Sequence, residues 1–106
     1  MKIIMLIVSA LVLPCIFNTA EALQRFSGTV KEIEATYMPT QIPFTLSEGN
    51  SACPKGKTLF WANANLENNK AVYATLLTSL TTGRKIMFIM DDDDASCKGR
   101  FIYITE

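Results

Sequence analysis

"TLFWANANLENNKAVYATLLTSLTTGRKIMFIMD", Thr58 to Asp91, decides the fold class, because its residue pattern changes character twice. Thr58–Ala64, with Phe60 and Trp61 at its centre, has the composition of a short strand. Asn65 then offers a helix cap, and Glu67 places a favourable negative charge in the first turn. Tyr73, Leu76, Leu77 and Leu80 follow the i, i+3, i+4, i+7 spacing of one helical face, which is expected to be the buried one. Gly83 is placed to end the helix, with Arg84 and Lys85 beside its negative end. Lys85–Asp91, KIMFIMD, is apolar on both faces, as a central strand must be.

The flanks complete a mainly β pattern. In Arg25–Tyr37, RFSGTVKEIEATY, the residues Phe26, Gly28 and Val30 share one face, whereas Ile33, Ala35 and Tyr37 have the opposite parity. That switch predicts a bulge or bend near Lys31–Glu32, through which one long strand serves two sheet edges. Pro39 and Pro43 bracket a turn, and Pro43–Ser47 reads as a second strand. Glu48–Lys57 is loop chemistry, and Arg100–Glu106 closes the chain as a last strand. The expected order is therefore β-β-β-α-β-β, with one helix between the third and fourth strands. A five-stranded, partly open OB-fold-like barrel has that plan.

Not all of the 106 residues are expected in the folded domain. Lys2, the apolar run Ile3–Phe17 and Ala20-Glu21-Ala22 make a tripartite secretory leader, residues 1–22, with cleavage after Ala22. The run is short for a membrane span. Cys15 lacks the small residue before it that lipoprotein processing needs. The domain, residues 23–106, is thus expected to be secreted or periplasmic, with no membrane span. A core of this size buries only roughly 60–65% of the unfolded surface and benefits from a staple. Cys53 and Cys97 are the only cysteines past the leader, and an oxidising compartment favours a structural disulfide between them. A reactive pair or a metal-ligand pair are the alternatives.

The chain carries ten basic and ten acidic residues. Removing the leader takes one of each, Lys2 and Glu21, so the balance stays at zero, which disfavours nucleic acid as a partner. There is no histidine, and hence no usual general base and no Ser-His or Cys-His nucleophile pair. Glu32 and Glu34 share a parity, which alternation assigns to a solvated strand face. No enzymatic activity and no cofactor are expected. Asp91, Asp92, Asp93 and Asp94 join two apolar strands with a turn that stays hydrated and resists aggregation. Calcium is the competing reading, but the alternate acids and central glycine of an EF-hand are missing. Among the aromatics, Tyr73 belongs to the helical stripe, whereas Trp61, beside Asn63, Asn65, Asn68 and Asn69, is open to a ligand-binding role.

Arg25–Val30 (RFSGTV), Ser51–Cys53 (SAC), Leu59–Asn69 (LFWANANLENN) and Thr81–Ile89 (TTGRKIMFI), in this order and spacing, resemble the bacterial AB5 toxin B-subunit family, the B subunits of subtilase cytotoxin and typhoid toxin. The resemblance covers most of Phe26–Ile89. It implies an OB-fold protomer, a homopentameric ring with helices lining its centre, recognition of sialylated glycans or glycoproteins, and carriage of a toxin A subunit. It also implies a sugar contact at Ser27, the serine of the opening strand. The family's first disulfide position reads Thr45 here, and its aromatic- and proline-rich loop is replaced by DDDDASCKG. The competing expectation is a monomeric periplasmic OB-fold protein that binds a protein partner, in an envelope-stress or inhibitor role.

Overall fold

The computed structural model describes residues 22–106, so the expected leader apart from Ala22, including Lys2, Cys15 and the Ile3–Phe17 run, lies outside the described residues. The chain forms β1 (Leu23–Gly28), β2 (Val30–Ile33), β3 (Ile42–Leu46), β4 (Leu59–Trp61), α1 (Leu66–Thr82), β5 (Lys85–Asp91) and β6 (Gly99–Thr105). It is mainly β with one helix, and the strands form two three-stranded antiparallel sheets, ordered β1-β5-β6 and β2-β3-β4.

This corrects the five-stranded barrel. Six strands form, because the expected long first strand is interrupted at Thr29 and continues as β2 in the other sheet. The break has a local cause: Thr29 N–H donates to Ser47 Oγ (3.0 Å), and Ser47 N–H donates to the Thr29 carbonyl (2.9 Å). A register shift between Val30 and Glu32 completes the bend close to the position that the parity switch marks. The sheets do not close into a continuous barrel either. Between β4 and β6 there is a single parallel bridge, Phe60–Lys98, with Phe60 N–H donating to the Cys97 carbonyl at 2.9 Å. Gly99 lets β6 approach there, since a Cβ would lie 2.8 Å from the Phe88 ring and 3.0 Å from Trp61.

The core lies between the two sheets and α1, with Ile42, Phe44, Leu59, Leu76, Ile86, Phe88 and Met90 all but inaccessible to water. Phe88 packs on Phe26 (5.5 Å) and edge-on to Phe44 (5.7 Å), tying β1, β5 and β3 together. Cys53 and Cys97 are bonded and fully buried, joining the β3–β4 loop to the β5–β6 turn.

Helix α1 begins and ends as its sequence directs. Asn65 Oδ1 accepts from Glu67 N–H (2.9 Å) and Asn68 N–H (3.2 Å), and Gly83, at φ 79°, returns its N–H to the Ser79 carbonyl. The expected stripe is covered only in part: Leu76 is buried and Tyr73 packs against the core, but Leu77 and Leu80 are not covered. Asn69, Leu76 and Ser79 are buried and Val72 packs against the core, whereas Leu66, Leu77 and Leu80 are exposed. Two polar anchors turn the helix this way. Ser79 Oγ accepts from Val30 N–H (3.1 Å) and donates to the Arg84 carbonyl (2.6 Å). Asn69 Nδ2 donates to the carbonyls of Pro39 (2.8 Å) and Asn63 (2.9 Å), holding the turn before β3 and the approach to the helix. Among the described residues, no helix is long and apolar enough to cross a membrane.

Candidate functional site

Directly opposite residues of an antiparallel ladder point to the same side, and residues two apart along a strand share that side. Phe26 faces inward onto Phe88, so Ser27 and Arg25 belong to the outer face of the β1-β5-β6 sheet. Ser27 is opposite Met87, and Met87 is opposite Tyr103. Arg25 is opposite Ile89, and Ile89 is opposite Phe101. The outer face therefore carries two adjacent rows, Ser27–Met87–Tyr103 and Arg25–Ile89–Phe101, with opposed Cβ atoms about 4.5–5.5 Å apart.

Their exposure separates the support from the contact groups. Ile89 is 3% exposed and forms an apolar floor, whereas Tyr103 (54%) and Phe101 (45%) stand in solvent. Ser27 and Met87 are half-buried and Arg25 is exposed. The Ser27 hydroxyl makes no hydrogen bond within the described residues, and it keeps a donor and two lone pairs for a ligand. Next to it, Gly28 sits where a Cβ would come within 3.0 Å of Glu48 N and Ser47 Oγ, so the glycine lets β1 lie against that loop. Two aromatic rings, a hydroxyl and a guanidinium on a firm sheet provide stacking, hydrogen bonding and a cation for a carboxylate.

Trp61 is not part of this surface. It is 7% exposed, packs in the core against β6, and commits its indole N–H to Asn68 Oδ1 at 3.1 Å. A tryptophan next to a helix cap reads from sequence as an open surface, but the close approach at Gly99 covers it. Arg25 is the residue that sequence reading passed over. The signal for it is parity, since it stands two places before Ser27 and across from Ile89. Tyr37, another aromatic candidate, is 52% exposed on the turn after β2, and Tyr73 is half-buried against the core.

The four aspartates have four different surroundings. Asp91 ends β5 and pairs with Arg100 at 2.7 Å. Asp92 N–H donates to the Ala22 carbonyl (3.0 Å), and Asp93, at φ 56°, donates its N–H to Gln24 Oε1 (3.2 Å). Asp94 Oδ1 accepts from Ser96 Oγ (2.6 Å) and Ser96 N–H (2.9 Å), and these bonds hold its carboxyl below the usual carboxylate value. Among the described residues, no three acidic or sulfur side chains converge to hold a metal ion. Glu32 and Glu34 are both exposed and border a shallow cleft with Thr45 and Thr58.

No protein-family model, curated protein or solved structure matches this chain.

Proposed function

We propose that the chain is a secreted or periplasmic, non-catalytic binding subunit that recognises sialylated glycans or glycoproteins through the outer face of the β1-β5-β6 sheet. The observation that carries this reading is the pair of rows Ser27–Met87–Tyr103 and Arg25–Ile89–Phe101. Ser27 donates to a sugar oxygen, Arg25 supplies the cation for a carboxylate, and Tyr103 offers a ring to the apolar face of a sugar. The aspartate turn lies beyond the Leu23–Asp91 end of the sheet, about two residue pairs from the Arg25 row, and its nearest carboxylate, Asp91, is paired with Arg100.

On this reading the two sheets, with β1 and β2 as halves of one bent strand, are an opened OB-like barrel, and the chain works as an oligomer carrying a toxin A subunit. Support for assembly comes from surfaces that a monomer leaves wet: Leu66, Leu77 and Leu80 on α1, and the main-chain edge of β6, which lies at the border of its sheet. A homopentamer is the assembly that the sequence resemblance implies.

Two measurements on the oxidised protein test this. Native mass should fall near five protomers; a monomer at all concentrations would instead favour a periplasmic protein that binds a protein partner. Ser27→Ala should weaken binding to immobilised sialyllactose about threefold to tenfold, a loss typical of one neutral hydrogen bond, with an unchanged melting temperature. Undiminished binding in that variant removes Ser27 from the site.

A further inference from the structure

We propose a second ligand site, a groove centred on Gln41 that takes the interior of a carboxylated polysaccharide chain. Two open clefts meet at Gln41. One, of about 460 Å³, lies along the turn after β2 and is lined by Tyr37 and Thr40; the other, of about 320 Å³, lies at the β4–β6 seam and is lined by Phe60, Ser96 and Lys98. Each is within or near the range of small-molecule sites, and joined end to end they suit a chain that passes through.

The groove's chemistry is that of saccharide recognition. Tyr37, 52% exposed, and half-buried Phe60 place one aromatic ring in each cleft. Between them the Gln41 side-chain amide makes no hydrogen bond to the described residues, leaving its donors and acceptor for ring hydroxyls. Thr40 and Ser96 add hydroxyls, and Lys98, exposed at the seam end, supplies the only cation of this lining. Lys98 also acts on the Asp94 carboxylate, and a ring carboxylate would share it.

The walls are held. The Pro39 and Thr40 carbonyls accept from buried Asn69, fixing the turn. The Phe60 N–H to Cys97 carbonyl bond and the buried disulfide fix the seam, and Asp94 holds Ser96 through its N–H and hydroxyl. The groove is also separate from the outer sheet face. Ser27 lies two strands from β6, in the row of Tyr103, and Lys98 precedes β6, beyond the register shift at Arg100 and five positions before Tyr103.

The test is a titration of the isotope-labelled, oxidised protein with a galacturonic acid tetrasaccharide, read by amide chemical shifts. The expected result is movement of the Gln41, Phe60 and Lys98 signals with Ser27 and Met87 unmoved, an affinity that falls with added salt, and about tenfold weaker binding in Lys98→Ala and in Gln41→Ala. Ser27→Ala should bind the tetrasaccharide normally, so this result and the sialyllactose result stand or fall separately. The proposal is overturned if the groove signals stay still at millimolar tetrasaccharide, if the shifts fall only on the outer sheet face, if a neutral galactose tetrasaccharide binds as well, or if a glutamate-rich peptide binds the groove and the tetrasaccharide does not.

Discussion

At the residue scale, single polar side chains do much of the positioning. Asn69 and Ser79, both fully buried, each reach main-chain groups far away in sequence, and the helix face follows them and Leu76, leaving Leu77 and Leu80 outside. Asp94 shows the same economy at the surface, where one carboxylate oxygen takes two bonds from Ser96. Its folded carboxyl is held below the ordinary value chiefly by the Ser96 hydroxyl, then by the Ser96 amide. A depressed folded value means that the stabilisation is present above the unfolded carboxylate range and is lost as pH falls through the lower, folded value. The Asp94 carboxyl signal should therefore titrate below the usual range, and Ser96→Ala should move that midpoint upward. An unmoved midpoint would show that the hydroxyl does not hold the charge.

At the element scale, α1 presents its apolar residues on two neighbouring stripes, and only one is covered. Leu77→Gln with Leu80→Gln exchanges exposed apolar groups for polar ones, so the protomer's melting temperature should change by no more than a few degrees while the native mass falls to that of a monomer. If the mass stays that of an oligomer, the leucine stripe is not the interface. The helix also shows what was legible in the sequence. Its ends were, because Asn65 and Gly83 act through local backbone chemistry. Its buried face was legible at Tyr73 and Leu76 only, because its remaining part depends on the Pro39 carbonyl and the Val30 N–H, which the tertiary fold brings to Asn69 and Ser79. The bend between β1 and β2 was readable from side-chain parity, but the division into six strands came from Ser47, eighteen positions away from Thr29. For the candidate surface, Ser27 entered through the family resemblance alone and its row was not legible, since register across three strands is a property of the sheet.

At the scale of the molecule, two sheets with little direct pairing between their β4 and β6 edges are held by the core, by the chain running through Thr29, and by the buried Cys53–Cys97 bond beside the Phe60–Lys98 bridge. Replacing both cysteines with serine should cost about 2–4 kcal/mol in urea denaturation and give the largest amide-shift changes at Phe60 and Lys98. A loss well under 1 kcal/mol would mean that the core alone holds the seam. The start of β1 bears on the aspartate turn. The Ala22 carbonyl accepts the Asp92 N–H, and Leu23 stands across the ladder from Asp91. A chain trimmed after Ala22 loses that carbonyl and gains an α-ammonium at Leu23, at the edge of four carboxylates. In a chain that begins at Leu23, the aspartate turn would stand as the counter-ion of that terminus, and a hydrogen bond would be exchanged for a charge pair at the first rung of the sheet.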